Sequence, residues 1–259
     1  MVRGIYTAAS GMLAEQQRVD VVANNLANVN TNGYKKDVAV FRASPEERFH
    51  RLRDPKKLPW VHFMVDKRPY IGWSGSGVQP DEVYTNHEGG PLKQTYNPLD
   101  LAIVGEGFFA LDSPQGTRYT RDGAFVLDNE NRLSTVGGFL VMGEDGPITI
   151  KGRTVMFAPD GTALVDGEKV GKVKVVTFKE PSEEIKKIGD NLFAGNGGDE
   201  MPVENPKIMP GFLEGSNVNP VKEMVDMIRA LRAYETNQRM ITSQDGTVDK
   251  LINTVGTIK

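Results

Sequence analysis

The stretch GEGFFA at residues 105–110 has small residues at the spacing of the G-x-G-x-x-A pattern that binds dinucleotides. Such a site needs a helix directly after the glycines, because the amide groups at the start of the helix bind the phosphates. The sequence LDSPQG at residues 111–116 follows instead, and it indicates a turn. We therefore interpret the two glycines as a bulge or a tight corner in a strand, and we expect no nucleotide cofactor.

Residues that bind metals are few and scattered. The chain has no cysteine and three histidines: His50, His62 and His87. Because the histidines are not paired at helical spacing, we expect no zinc site. Asp128, Glu130 and Asn131 follow part of the calcium-loop pattern, but Leu133 stands where that loop needs a glycine for its sharp turn. A hairpin turn is the better interpretation, and we expect no bound metal.

The sequence also contains no local motif for a hydrolytic enzyme. The acidic pairs Asp81-Glu82 and Asp199-Glu200 are adjacent in sequence, so their side chains diverge and do not form a catalytic dyad. Three serines lack the glycine-flanked elbow and the nearby base of a nucleophile: Ser74, Ser76 and Ser113. The local patterns predict no enzyme. Catalytic residues can also meet from distant parts of a chain, so an enzyme stays as an alternative hypothesis.

The sequence gives stronger signals for secondary structure than for any reaction. The C-terminal segment 216–259 has the pattern of one long helix. Its apolar residues recur every seven positions on one row, with a second row beside it: Met227, Tyr234, Ile241, Val248 and Val255, then Met224, Leu231 and Ile252. This recurrence predicts a helix with one apolar seam. Asn219 before Pro220 predicts the helix start, since asparagine caps helices and proline suits the first position.

The N-terminal segment 1–33 shows the same recurrence in four residues: Ile5, Met12, Val19 and Leu26. A run of asparagines that closes on Gly33 predicts where the helix stops. We predict that segments 1–33 and 217–259 pair as a coiled-coil-like stem. We also predict that the seam residues of both helices form an assembly interface. An ordinary antiparallel helix pair that closes a globular domain is the alternative.

Residues 74–216 read as a β-rich domain. Short runs of Val, Thr, Phe and Ile are separated by turn dipeptides: Asp122-Gly123, Gly137-Gly138, Asp160-Gly161 and Asp166-Gly167. Asp-Gly between apolar runs supplies the positive φ angles of tight hairpins. Residues 155–178 therefore predict a β-meander, with Val173, Val175 and Phe178 in its last strand. We expect an α+β chain with an antiparallel barrel or sandwich inserted between the terminal helices, and residues 34–73 as a connector.

Composition narrows the classes of protein. A length of 259 residues, 39% hydrophobic and 25% charged, is typical of a globular chain with one large or two modest domains. The net charge of −3 argues against a nucleic-acid partner, and no apolar run is long enough for a membrane span. The start of the chain predicts no cleavable secretion signal. The segment 45–70 is locally basic, which a solvated linker or a subunit contact explains better than a nucleic-acid or membrane patch.

Two sequence blocks, NNLANVNTNGYKK at residues 24–36 and SNVNPVKEMVDMIRALRAYETN at residues 216–237, resemble the signatures of the bacterial flagellar rod and hook proteins. Between them, NPLDLAIVGEGFFAL and YTRDGAFVLD resemble the motifs of the distal rod members of that family. The resemblance covers most of residues 1–41, 75–142 and 185–258. It does not extend to residues 42–73, and Gly246 stands where the family usually has a stronger helix former.

The resemblance implies a structural subunit of the flagellar basal-body rod in the cell envelope, without enzymatic activity, metal or cofactor. It implies a homo-oligomer, in the form of a helical, tubular polymer built through the terminal helices. Other rod and hook subunits would be its neighbours, and the flagellum's own export apparatus would secrete it. A proximal rod or hook-type subunit is the nearest alternative. A dimeric β-domain binding module or enzyme is a more distant one.

Overall fold

The computed structural model describes residues 2–50, 70–195 and 200–256. The chain divides into two compact units. The terminal-helix unit comprises Met1–Val21, Ala39–Val83 and Val225–Lys259, and the β unit comprises Val22–Val38 and Tyr84–Met224. The predicted connector 34–73 falls partly outside the described residues, because residues 51–69 are not among them.

Both predicted terminal helices are present. Helix α1 spans Val2–Ala27 and helix α3 spans Pro220–Gly256, while a single turn of helix, α2, spans Pro181–Glu184. The start of α3 is as predicted: the backbone N–H of Lys222 donates to Oδ1 of Asn219 at 3.1 Å, which is the bond of an N-cap. Helix α1 ends at Ala27, earlier than predicted, and a turn leads to Gly33 at φ +66°.

The residues that the structure describes form twenty-one short strands. The first six are β1 Asp37–Ala43, β2 Glu47–His50, β3 Tyr70–Ser74, β4 Val78–Thr85, β5 Leu92–Gln94 and β6 Leu101–Ile103. The next eight are β7 Phe108–Asp112, β8 Arg118–Thr120, β9 Phe125–Leu127, β10 Leu133–Thr135, β11 Leu140–Gly143, β12 Gly146–Pro147, β13 Val155–Phe157 and β14 Thr162–Val165. The last seven are β15 Glu168–Lys172, β16 Val175–Thr177, β17 Ile185–Gly189, β18 Leu192–Gly195, β19 Met201–Pro202, β20 Ile208–Pro210 and β21 Phe212–Glu214.

A ten-stranded sheet holds the core of the β unit. Its strands run in the order β17-β18-β8-β7-β11-β10-β9, with β12 on β11, β16 on β7 and β19 on β16. The inward side chains of β7 alternate between two apolar clusters, since Phe109 lies in one and Phe108 in the other. Phe109 is fully buried against Phe125, with their rings 5.1 Å apart in an edge-to-face arrangement.

Among the described strands the sheets stay open, so the expectation of a barrel is wrong. The ten-stranded sheet ends in β17 on one side and β9 on the other, and these two edges do not pair. Strands β13, β14 and β15 form a separate three-stranded sheet, which confirms the predicted meander. Its expected last strand, β16, pairs instead with β7, so Val175 belongs to the main sheet, while Val173 and Phe178 flank β16.

The predicted turns have two different physical origins. Asp166 and Gly167 both have positive φ, 51° and 92°, as the prediction for a tight hairpin requires. Gly123 does not have a positive φ, so that prediction is wrong. Position 123 needs a glycine for a different reason: a side chain there would begin 1.6 Å from the carbonyl oxygen of Leu101, so only glycine fits.

Candidate assembly surface and the charged cluster at the helix ends

The segment just after α1 is tied to the helix by one asparagine side chain. Asn25 is buried, and its Nδ2 donates to the carbonyl oxygen of Asp37 at 2.8 Å, while its Oδ1 accepts from the N–H of Asp37 at 2.9 Å. The side-chain amide therefore pairs with a peptide unit as a neighbouring strand would. Tyr34 also donates its hydroxyl to Oδ1 of Asn25 at 3.1 Å. This arrangement fixes the direction in which the chain leaves α1.

The first turn of α3 joins the same group through Glu223. This carboxylate is 1% exposed, and it accepts from Nδ2 of Asn25 at 3.3 Å and from Nζ of Lys36. An acidic residue in the first turn of a helix is also stabilised by the partial positive charge of that end. The end of α1 and the start of α3, both in the β unit, thus share one buried hydrogen-bonded group.

Glu214 forms a second buried group with two cations. Its Oε1 accepts from Nζ of Lys35 at 2.7 Å and from the N–H of Gly90 at 2.8 Å, while its Oε2 accepts from Nη1 of Arg121 at 3.0 Å. Burial lowers the pKa of Lys35, and the carboxylate of Glu214 acts in the opposite direction. Burial also lowers the pKa of Arg121, with Glu214 again opposing it. Removing one partner from such a group leaves a buried charge unpaired.

A fourth ion pair, between Lys187 and Asp37, belongs to the same cluster. Lys187 on β17 lies 2.9 Å from Oδ1 of Asp37 and 4.0 Å from the centre of the Tyr34 ring, where the ring face attracts the ammonium group. Burial raises the pKa of Tyr34, and the nearby carboxylates of Asp37 and Glu223 raise it further. These contacts position chain segments, and none of them prepares a nucleophile or a proton donor for chemistry.

Glycines of α1 face amide side chains of α3 in the terminal-helix unit. A side chain at Gly4 would begin 2.5 Å from Nε2 of Gln244, and one at Gly11 would begin 2.8 Å from Nδ2 of Asn237. The contact moves seven residues forward in α1 as it moves seven residues back in α3, so the two helices are antiparallel at these contacts. Because glycine has no side chain, the amide groups of α3 can lie directly against the backbone of α1 at these two positions.

The structure places the predicted interface residues in two groups. Eight are half-buried, and therefore still keep part of their surface exposed: Ile5, Met12, Val19, Leu26, Met227, Tyr234, Ile241 and Val248. Three are exposed: Met224, Leu231 and Ile252. The side chain of Val255 lies outside the described residues. None of these placements tests whether another subunit covers the residues.

The row of α3 that accompanies Met227 and Tyr234 was missed by the sequence reasoning. It consists of Ala230, which is buried, and of Asn237 and Gln244, which are half-buried. Counting apolar residues selects Leu231 on the adjacent row instead. Small residues in α1 at the same seven-residue spacing, Gly4 and Gly11, were the signal that could have located this row, because they leave room for polar side chains.

The other candidate sites of the sequence have structural explanations where they are described. Gly105 and Gly107 have positive φ, 100° and 133°, and the strand β7 follows them, so the corner interpretation is confirmed. Asp128 accepts from Nε of Arg132 at 2.8 Å within the hairpin of β9 and β10. His62 and Asp199 lie outside the described residues. Across the described ranges, no three metal-binding side chains gather in one place, and none of the helices is apolar over a membrane-spanning length.

Three family descriptions match the chain. "Flagella basal body rod protein" matches residues 5–35, "Flagellar hook protein FlgE/F/G D1 domain" matches residues 102–165, and "Flagellar basal body rod FlgEFG protein C-terminal" matches residues 209–254. The first and last of these ranges contain Asn25, Lys35, Glu214 and Glu223 of the buried cluster. The matched terminal regions thus supply Glu214 and Glu223, the two buried carboxylates of the cluster, whereas Lys36, Asp37 and Lys187 lie outside all three ranges.

Three relatives illustrate the similarity over the whole length. The flagellar basal-body rod protein FlgG of Agrobacterium fabrum is 35% identical, with 94% of this chain and 96% of the relative aligned. FlgG of Bacillus subtilis is 33% identical, with 98% and 99% aligned. The flagellar hook-basal body complex protein FlhO of Bacillus subtilis is 28% identical, with 100% of both chains aligned.

Proposed function

The chain belongs to the family of flagellar basal-body rod proteins, and we propose that its two terminal helices are the surface through which it assembles into the rod. It is a structural subunit of the flagellar basal-body rod and not an enzyme. Membership in this family implies a polymer with other rod and hook subunits in the basal body. The proposal concerns how this chain makes that polymer.

The apolar surface of the terminal helices carries the proposal. Tyr6 and Leu13 on α1 are 68% and 64% exposed, and they stand seven residues apart on one face. Ile228 and Leu231 on α3 are 51% and 45% exposed. Large apolar side chains that are this exposed on one element are typical of a surface that binds another protein. Covering them with helices of neighbouring subunits would add about 1–2 kcal/mol for each side chain that becomes buried, because roughly half of each is already covered.

The finer architecture belongs to the same proposal. Segments 1–33 and 217–259 would form a coiled-coil-like assembly stem, residues 34–73 a connector, and residues 74–216 a β head inserted between them. The contacts of Gly4 and Gly11 with α3 support the antiparallel pairing of the stem. The twelve predicted seam residues would then be shared between contacts within a subunit and contacts across subunits.

The position in the flagellum is proposed from the relatives. The FlgG matches favour a distal rod subunit that stacks axially into a tubular drive shaft. The similarity to a hook-basal body complex protein keeps a proximal rod or hook-type subunit as the second candidate. Export through the flagellum's own apparatus follows as an expectation for any subunit of this structure.

A charge on the exposed helix face tests the assembly surface. We expect Leu231→Asp to prevent tubular polymers in electron micrographs of concentrated protein, because the aspartate would be buried without a partner. Ser243→Asp is the matched control, since it adds the same charge at an exposed position of α3 that offers no apolar surface. Circular dichroism of dilute protein should show an unchanged fold for both variants. Normal polymers of Leu231→Asp would place the assembly surface elsewhere.

A further inference from the structure

The β unit contains a cavity of about 540 Å³ whose lining includes none of the proposed assembly residues. Its apolar walls include Phe108, Phe178, Leu92 and Ile103, and Arg121 lies at its polar side together with His87. A cavity of this size is within the range that holds small molecules or one or two amino-acid side chains. Apolar walls around a few polar groups are also typical of ligand sites.

The buried charges beside the cavity do not balance. Lys35 is 1% exposed and Arg121 is 4% exposed, yet among the described residues they share one buried carboxylate, that of Glu214. Two positive charges and one negative charge leave an excess of one positive charge. Glu106 and Glu88 also line the cavity, and Glu106 acts on Arg121 as a weaker counter-charge than Glu214, but both carboxylates are exposed to solvent, which screens their charge. A buried charge that is not compensated is costly, so this group favours an anion nearby.

Two side chains at the cavity also have unused hydrogen-bonding atoms. The Nε of Arg121 is buried and has no hydrogen-bond partner among the described residues. The same is true of both ring nitrogens of His87, whose ring packs edge-on against Phe108 with 5.6 Å between the ring centres. Buried polar atoms in folded proteins are nearly always paired, so these unpaired atoms of two residues that line the cavity indicate a missing partner.

We propose that this cavity binds a carboxylate attached to an apolar group, with the carboxylate on Nε of Arg121 and on His87, and the apolar part against Phe108 and Phe178. The guanidinium group prefers carboxylate geometry, and its Nε–H is the donor that Glu214 leaves free. The carboxylate supplies the negative charge that Lys35 and Arg121 lack. Its source is either a small free acid or an acidic side chain of another copy of this chain.

Nuclear magnetic resonance on the full chain tests the site with sodium benzoate as the probe. The Nε–H signal of Arg121 is assigned as the one lost in Arg121→Lys. We expect benzoate to shift this signal saturably, together with the ring signals of His87. Benzamide has the same shape without the charge, and it should cause no comparable shift. Equal shifts with both compounds, or no shift with benzoate, would refute the proposal.

Two exposed lysines provide variants that should fold in any case. Lys179 lines the cavity, whereas Lys186 lies on β17 outside the lining, and both are exposed. We expect Lys179→Glu to weaken benzoate binding about three- to tenfold through repulsion of the anion, and Lys186→Glu to change it less than about twofold. Equal affinities of the two variants would contradict a site in this cavity, including in the case that Arg121→Lys does not fold.

The source of the carboxylate is separated by the effect of benzoate on self-association. If another copy supplies the group, raising the protein concentration shifts the Arg121 signal and benzoate slows polymer formation. If a free acid is the natural ligand, the polymer forms at the same rate with and without benzoate. Both outcomes support the site. The proposed assembly surface on α1 and α3 is tested separately, by Leu231→Asp.

Discussion

The two units of the molecule bury very different side chains. Among the described residues of the terminal-helix unit, the buried apolar side chains are three alanines: Ala8, Ala14 and Ala230. The β unit buries whole aromatic and aliphatic clusters around Phe108 and Phe109. An alanine buries little apolar area compared with phenylalanine. The β unit therefore stabilises itself, whereas large apolar side chains of the terminal-helix unit, such as Tyr6 and Leu13, stay exposed in the single chain.

The ion pairs of the two units also differ in how far they are buried. Ion pairs of the terminal-helix unit, such as Arg3 with Glu47 and Arg239 with Glu235, are exposed. Pairs of this kind contribute little to stability in water. The β unit instead buries Glu214 and Glu223 with their cationic partners. The difference teaches that the β unit is specified by its own interior, whereas the terminal-helix unit keeps its large apolar side chains and its ion pairs at the surface of the single chain.

The largest expected effect of a substitution is in the aromatic core. Phe109→Ala should lower the free energy of unfolding of the β unit by about 3–5 kcal/mol, because it removes a fully buried ring and leaves a cavity. The matched change in the terminal-helix unit, Leu13→Ala, should stay within about 0.5 kcal/mol in the isolated subunit. Amide hydrogen exchange in β7 and in α1 measures the two units separately. Comparable losses would contradict the contrast between them.

The buried carboxylate of Glu214 ranks next. Glu214→Gln leaves Lys35 and Arg121 buried without a counter-charge, so we expect a loss of about 3 kcal/mol in denaturant unfolding of the β unit. Glu235→Gln removes an exposed carboxylate that is 3.9 Å from Arg239, and its effect should be below about 1 kcal/mol. If the two variants were equally stable, the buried ion pairs of Glu214 would not contribute to the stability of the β unit.

His87 gives the β unit a dependence on pH. Burial, together with the smaller effects of the charges on Lys35, Lys187 and Arg121, lowers the pKa of His87 to about 4, against a smaller opposite effect of Asp37. Between pH 4 and the ordinary pKa of about 6.5, the unfolded chain therefore binds a proton that the folded chain does not. Stability should fall by on the order of 2–3 kcal/mol as the pH drops through this range.

Urea unfolding of the wild type and of His87→Gln at pH 7 and pH 4 measures this contribution. The variant should lose the part of the pH dependence that belongs to the histidine, while the other titrating groups contribute equally to both proteins. Parallel stability curves of the two proteins between these pH values would show that His87 is not held in its neutral form.

Sequence patterns predicted the features that depend on neighbouring residues. The start of α3 at Pro220 and the hairpin at Asp166-Gly167 have local signals, and both are present. The pair Lys35–Glu214 joins residues 179 positions apart, and no local pattern specifies such a contact. The glycine at position 123 was recognised as a turn signal, whereas its reason is the carbonyl of Leu101, which only the fold brings close.

The phase of the helix seam was harder to predict for a related reason. Apolar spacing located both terminal helices and the row of Met227, but as the second row it gave Leu231 and not Asn237 and Gln244. An amide becomes a seam residue when the facing helix offers a glycine, and this depends on the partner as well as on the helix itself. The assembly surface remains a prediction, because single-chain exposure does not identify which residues a neighbour covers.

The smallest expected effect comes from two glycines in the terminal helices. Nothing lies within 4 Å of a side chain built at Gly246, so Gly246→Ala should stabilise α3 by about 0.5–1 kcal/mol through helix propensity alone. Gly11→Ala brings the same propensity to α1, but its methyl group must displace the amide of Asn237, which begins 2.8 Å away. We expect this displacement to cancel the gain.

Asn237→Ala provides the control for that interpretation. In this background the methyl group at position 11 meets no amide, so Gly11→Ala should regain about 0.5–1 kcal/mol, and Gly246→Ala should act as it does in the wild type. Amide exchange rates in α1 and α3 of the isolated subunit report both effects. If Gly11→Ala stabilises the wild-type helix as strongly as Gly246→Ala does, glycine at position 11 is not required for packing. The packing of α1 against α3 would then tolerate a larger side chain at this position, unlike the closely packed interior of the β unit.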